Sequence, residues 1–269
     1  GISEVVEENM ANAARVHAVE RGKEIRGRTL VAFGGGAALH AARLARKLNI
    51  NEVIVPVAAG VGSAVGFLQA PVAYEVVRSR YAMLDNTFDI TGLNTLYAEM
   101  RAEAEQIVAE AAPESELVET RTADMRYHGQ RHEIAVSLPT GPYDGTLGDE
   151  LCRLFEAAYA ATYSRRIPGL EVEVMNWTLR LSASVEDPAP CPPMPVASMP
   201  EPSGMRELFD PDTGILSAAP VYRREALSPG AGIAGPAVIA EDETTTIVLA
   251  GFTARVNAIG YIVMQWEGS

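Results

Sequence analysis

Cysteine is nearly missing from this chain, which holds only Cys152 and Cys191, set far apart. Their spacing fits no metal-binding pattern, and one pair cannot build a disulfide framework. They read as free thiols in a reducing compartment. Positive charge is also short: 35 acidic residues outnumber 22 Lys and Arg, for a net charge of −13. Nucleic-acid binding needs clustered cations to neutralise phosphates, so that class is excluded. No apolar run is long enough to span a bilayer, and no stretch reads as a signal peptide. The expectation is a cytoplasmic protein whose partners include neither nucleic acid nor membrane.

What is present has a globular composition, 48% hydrophobic and 21% charged over 269 residues. That is enough for one large domain or two ordinary ones. Ile2, Val5, Val6, Met10, Ala13 and Val16 recur at helical spacing. Glu4, Glu7 and Glu8 fall in the first turns, where the helix dipole favours acids. The helix begins with almost no approach and no initiator Met, which predicts a fragment or processed subunit. Apolar surface at Val31, Ile54 and Val55 would then be poorly covered and would drive self-association.

Residues 29–33 read as a buried strand, Ala37–Leu48 as a helix and Glu52–Val55 as a second strand, a parallel unit. Residues 57–71 are glycine-rich and apolar, with Ser63 placed to cap a short helix. A strand over 74–84 and a helix over 92–111 complete an α/β piece, residues 1–115. Residues 116–269 read as an α+β piece. It has two strands flanking a bend at His128 and Gly129, then a helix over 146–163. In the next strand Val172, Val174, Asn176 and Thr178 face one way, and Glu173, Met175, Trp177 and Leu179 the other. Residues 188–202 carry seven prolines and read as a connector. The β-rich tail reads as a small barrel or sandwich.

The stretch LVAFGGGAALHAARLARKL hands a strand to a helix through Gly34, Gly35 and Gly36. Glycine lets the backbone take positive φ and lie against a ligand, and the helix N-terminus offers unpaired N–H groups. A Walker A loop would need Gly-Lys-Ser/Thr, which is absent. A dinucleotide fingerprint fails at Leu39, where it needs glycine. The adenosine-side loop of actin-like ATPases fits, as does a turn that only permits tight strand–helix packing. His40, one turn into the helix, reads either as a residue covering the sheet or as one reaching a phosphate or carbonyl.

Arg126, His128, Arg131 and His132 crowd within seven residues. Alternation puts Arg126, His128, Gln130 and His132 on one side, suited to an anion or a metal. No acidic or cysteine ligand stands at metal spacing, so a polar edge strand or subunit contact is favoured. Asp124 and Asp242 read as solvated carboxylates, residues 164–169 as a solvated basic turn, and 241–246 as an acidic turn entering a strand.

Six ordered motifs carry a resemblance that covers the chain: ENMANAARVHAVERG, LVAFGGGAALHAARLARKL, VIVPVAAGVGSAVGFL, DMRYHGQRHEIAVSLP, EVEVMNWTLRL and GIAGPAVIAEDETTTIV. The chain resembles the C-terminal half of the hydantoinase A/oxoprolinase family. That family includes ATP-dependent hydantoinases, 5-oxoprolinase and subunits of acetone and acetophenone carboxylases. The resemblance implies part of an actin-like ATPase core over 1–115, followed by a β-rich C-terminal domain. It implies that ATP phosphorylates the carbonyl or amide oxygen of a cyclic amide or ketone substrate. Gly34, Gly35 and Gly36 match the family's nucleotide-side turn, and His40 the histidine that follows it. No catalytic residue and no metal ligand is assigned. The Asp-x-Gly phosphate hairpin lies in the family's N-terminal half, which would complete the site for ATP and Mg. A hydantoinase B-like subunit and homo-oligomers are the implied partners. The alternative is a non-catalytic module that docks such a subunit. The run Gly-Gly-Gly-Ala-Ala departs from the Gly-Pro ending of many hydantoinase-type members, and residues 58–81 look closer to the ketone carboxylase branch.

Overall fold

The strand–helix–strand reading of the first glycine turn holds in the computed structural model, which describes residues 1–167, 169–185, 189–192, 194–210 and 213–267. In chain order, α1 is Ile2–Glu20, β1 Thr29–Val31, α2 Ala37–Leu48, β2 Glu52–Val55 and α3 Gly62–Gln69. Then come β3 Ala73–Met83, α4 Ile90–Ala111, β4 Leu117–Tyr127, β5 Ile134–Leu138, α5 Leu147–Tyr163 and β6 Val172–Ala183. The remainder is strand: β7 Gly204–Asp210, β8 Ile215–Arg223, β9 Gly232–Ala234, β10 Ala237–Ala240, β11 Thr245–Val248, β12 Phe252–Val256 and β13 Ile262–Trp266. The chain thus mixes α/β and α+β layers.

Two compact units form, but not by division at 115/116. One is Gly1–Gln69 with Pro188–Ser269, and the other is Ala70–Asp187. The reason is strand pairing. β1 and β2 are parallel, and β13 then pairs antiparallel with β2, so the tail completes the first sheet in the order β1-β2-β13-β12-β9. The tail therefore builds no separate barrel. β3 and α4, read with the first piece, belong instead to the second unit: β3 joins β4, β5 and β6 in an antiparallel sheet ordered β3-β6-β4-β5, and α4 packs into the same core. The proline-rich stretch enters the first unit, where Ser198 bridges Ala231. Pro188 and Pro193 of that stretch lie outside the described residues.

In the first unit, α2 packs through Ala38, Ala41, Ala42, Ala45 and Leu48, all buried. Small side chains let the helix approach the sheet closely. Asn49 ends it in the left-handed region at φ 53, with the Asn49 N–H donating to the Arg46 carbonyl at 3.2 Å and the Ile50 N–H to the Ala45 carbonyl at 2.9 Å. Val55 is fully covered, contrary to expectation, because β13 lies beside it, whereas Val31 on the edge strand β1 is 51% exposed. Ser63 sits inside α3 rather than before it, since a 3-10 turn at Ala59–Val61 leads into that helix.

In the second unit, α4 and α5 contribute buried Tyr97, Met100, Leu151 and Phe155 to the core that also holds Ala123, Met125, Trp177 and Leu179. Asp89 caps α4 by accepting the Gly92 N–H at 2.8 Å. Simple alternation along β6 fails. Asp124 pairs with Asn176 but Met125 pairs with Val174, so Met175 is an extra, bulged residue. The bulge flips the parity, and Val172, Val174, Trp177 and Leu179 are all buried.

Candidate functional site

Three turns of the first unit meet at the glycine run. The ladder from β1 continues one step, with the Ala32 N–H donating to the Ile54 carbonyl at 2.9 Å. Gly34 then takes φ +108, a region that disfavours any side chain. Its N–H donates to the Ala59 carbonyl at 2.6 Å, and its own carbonyl accepts from the Ala37 N–H at 3.2 Å. Gly36 is the N-cap of α2, without a side-chain cap, and the first helical turn holds no acid. α2 therefore starts with neither a side-chain cap nor an acid of its own at its positive end. A Cβ built on Gly34 or Gly36 would meet open space.

The second turn is the segment after β2. Ala58 adopts φ 55 and starts the 3-10 turn that contains Gly60. A Cβ on Gly60 would fall 2.4 Å from the Glu243 Cβ and 2.9 Å from its backbone, so only glycine fits. The third turn joins β10 to β11. The Glu241 N–H donates to the Thr244 carbonyl at 3.0 Å. The buried Thr244 hydroxyl donates to the Gly35 carbonyl at 2.9 Å. Residues 241–246, which read in sequence as an acidic turn entering a strand, form the surface on which both glycine turns rest.

Arg224 and Glu241 do not stand out as site residues in the sequence. β8 and β10 run parallel, with Arg223 opposite Ala240, and these two charged residues follow directly. Burial pushes the Glu241 carboxyl up from the ordinary carboxylate range, against the pull of Arg224. Burial likewise pushes Arg224 down. The Arg224 Nη2 donates to the Gly260 carbonyl. Its Nη1 and the Glu241 Oε1 are both buried without a hydrogen-bond partner among the described residues. A charged residue after each of two apolar strand ends was the available signal.

His40 has a different setting. Its Nδ1 lies 3.0 Å from the Oε1 of Glu7, which is 2% exposed. Arg43 pairs with both Glu7 and Glu4, and Lys47 pairs with Glu4 at 2.6 Å and Glu8 at 3.0 Å. The acids of α1 therefore bind α2, and His40 belongs to that lock. The Lys47 ammonium, foremost, and Arg43 hold the Glu4 carboxyl below its usual range. His40 also lines a cleft of about 530 Å³ with Leu39, Phe209 and Ile247. The structure thus gathers Gly34, Gly35 and Gly36 with the 58–60 and 241–244 turns, and gives His40 a partner on α1.

The remaining candidates separate. Arg126 and His128 converge on the buried Glu173 at 2.5 and 2.7 Å, and the Tyr81 hydroxyl donates to it at 3.0 Å. Asp124 accepts from Asn176 at 3.0 Å, and the exposed Asp242 pairs with Arg223 at 3.1 Å. Cys152 is half-buried, with its thiol pushed up by burial, and Cys191 is exposed; both are free. Among the described residues, no group of three or more His, Cys, Asp or Glu could hold a metal ion, and no helix is long and apolar enough to cross a membrane. Phe33, Val57 and Val61 are about half exposed, and Phe67 and Leu68 more than four-fifths.

Residues 1–76 match the hydantoinase/oxoprolinase family, and residues 85–264 match the hydantoinase/oxoprolinase C-terminal domain. Caprolactamase subunit alpha of Pseudomonas jessenii is 27% identical over 266 residues, covering 96% of this chain and 38% of that subunit. The acetophenone carboxylase gamma subunit of Aromatoleum aromaticum is 30% identical, covering 91% of this chain and 35% of that subunit. The crystal structure of ATP-dependent caprolactamase from Pseudomonas jessenii superposes with a TM-score of 0.75 at 25% identity, covering 98% of this chain and 39% of that one. The chain therefore spans less than two-fifths of the length of these relatives, and it belongs to the hydantoinase/oxoprolinase family.

Proposed function

We propose that this chain supplies the nucleotide-facing wall of an ATP-dependent enzyme that activates the carbonyl of a cyclic amide or ketone. The carrying observation is the convergence of three turns on Gly34–Gly36, with open space over Gly34 and Gly36 and a helix end behind them that has no side-chain cap. The residues present fit a nucleotide: two glycines leave room for a flat or charged group, and Thr244 and Gly60 hold the turn rigid from behind. ATP, when bound, supplies the phosphoryl group that makes an unreactive carbonyl open to attack.

In this reading the first unit is the chain's share of an actin-like core. Gly34 and Gly36 form the contact surface. Gly35 faces the 241–244 turn, where its Cβ position lies 3.7 Å from the Glu243 carbonyl, so it sets the turn's position. His40 acts one layer back, holding α2 against α1 through Glu7. Phosphoryl transfer needs several positioned charges at once. The remaining phosphate contacts and the Mg ion then belong to the rest of a full-length, cytoplasmic enzyme that pairs with a hydantoinase B-like subunit and self-associates. Relatives named as alpha and gamma subunits support such an assembly.

A second reading is a docking module without nucleotide, favoured by exposed Phe33, Val61, Phe67 and Leu68. One experiment separates the two. Gly36→Val, made in the full-length enzyme that carries this chain, fills the open space without disturbing a packed neighbour. Expected is a fall of roughly tenfold or more in ATP-dependent turnover, or an equal rise in the KM for ATP, with unchanged melting. Unchanged ATP kinetics would favour the docking module.

A further inference from the structure

The geometry points to a pocket in the second unit that binds a small oxyanion, a carboxylate or a phosphate. It is independent of the glycine turn. Two stretches distant in sequence build it. Gln130, Arg131 and His132 follow the bend at Gly129, which has φ +82, while Tyr159, Tyr163 and Arg165 come from α5 and the basic turn after it. Together they line a pocket of about 230 Å³.

The pocket has a fixed floor. Tyr159 is 5% exposed and packs edge-on against Tyr127, their ring centroids 4.9 Å apart. The Gln130 Nε2 donates to the Tyr159 hydroxyl at 3.1 Å, tying the bend to the helix. Tyr163 stands 4.6 Å from Tyr159, centroid to centroid, and leaves an apolar wall half exposed. α5 stops at Ser164, whose left-handed φ of 56 turns the chain off the helix axis. The Ile167 N–H donates to the Tyr127 hydroxyl at 3.2 Å, which pins the basic turn beside the pocket.

The cations around it are unspent. Arg126 and His128 are taken by Glu173, and Arg166 reaches Glu156 at 3.6 Å. Among the described residues, the side chains of Arg131, His132 and Arg165 have no hydrogen bond or ion pair. Among the described residues no Asp or Glu lines the pocket, although the chain has 35 of them against 22 Lys and Arg. Two guanidinium forks and an imidazole facing one space, without a carboxylate, match the planar donor geometry that carboxylates and phosphates accept. An oxyanion there would also relieve the repulsion between the two guanidinium groups. The volume limits the ligand to a small molecule, and Tyr163 offers its carbon skeleton a ring to lie on.

The test uses the whole chain, with inorganic phosphate and glutarate titrated separately while backbone amide shifts are followed by NMR. Sodium chloride at matched ionic strength is the control. Expected are saturable shifts at residues 130–132 and 163–165 with at least one probe, and the probe that saturates tells phosphate from carboxylate. Arg131→Gln with Arg165→Gln should weaken that binding by about tenfold or more. Either single variant should weaken it less, and Arg180→Gln, an exposed arginine elsewhere on β6, should leave it unchanged. Shifts that fail to saturate, that follow chloride equally, or that persist in the double variant would overturn the site. Both arginines are exposed, so their loss should not unfold the unit.

Discussion

The Thr244 hydroxyl donates to the carbonyl of Gly35 at 2.9 Å, joining residues 209 positions apart. Thr244 is buried at 7% exposure, while Gly35 is exposed, so water can reach the Gly35 carbonyl once the hydroxyl is gone. Thr244→Val keeps the shape and removes the bond. The net loss should be about 0.5–1.5 kcal/mol. Urea titration should show the drop. Amide exchange at Gly36 and Ala37 should quicken by more than global destabilisation accounts for. Equal quickening across the first unit would mean that the bond does not locally hold the turn.

Gly60 and Gly36 should separate folding from function. A Cβ on Gly60 would strike Glu243 at 2.4 Å, whereas one on Gly36 meets nothing within 4 Å. Gly60→Ala is therefore expected to destabilise by about 1–3 kcal/mol through overpacking. Gly36→Ala, at φ −105, should leave the melting temperature nearly unchanged. Thermal unfolding of the two variants side by side is the check, and a reversed order would refute the packing of the three turns.

How much of this was readable beforehand depends on the range of the forces involved. Ala37–Leu48 and Glu52–Val55 match their expected bounds, because local periodicity and a following Asn or Pro set them. The alternation along β6 was misjudged because the bulge at Met175 appears only when β4 is laid beside it. The boundary at 115/116 came from composition, while the true units are decided by β13 pairing with β2, far apart in sequence. The glycine turn was visible as a motif. Its support by Thr244 and Glu243 was not, since EDETTT carries no local sign that it packs on glycines. The RYHGQRHEI cluster reads as a polar edge strand or subunit contact, whereas the fold divides it between Glu173 and the pocket beside Tyr159.

Glu173 should make the second unit acid-sensitive. Burial pushes its carboxyl up, but hydrogen bonds from His128, Arg126 and Tyr81 outweigh that, and the net shift is below the ordinary value of 4.5. A carboxylate lowered in the folded state adds stability above its unfolded pKa. That stability is lost as pH falls through the lower, folded value. Wild type should therefore lose stability steeply below about pH 4.5, and Glu173→Gln should be less stable at neutral pH with a shallower acid slope. Parallel slopes for the two proteins would remove Glu173 from the acid response.

The lock between α1 and α2 rests on a buried pair, Glu7 at 2% and Arg43 at 7% side-chain exposure. Removing one member of such a pair leaves an uncompensated charge, at a cost of about 3–5 kcal/mol, whereas replacing both with apolar residues of similar size is often neutral. Glu4 still contacts Arg43 from a more exposed position, so Glu7→Leu should fall near the lower end, about 3 kcal/mol. Glu7→Leu with Arg43→Met should recover most of that loss. Because His40 also leans on Glu7, the single variant should free its imidazole, and the ring shifts of His40 should move toward those of an exposed histidine. A double variant no more stable than Glu7→Leu alone would show that α1 is held by its apolar contacts, with the charges contributing little.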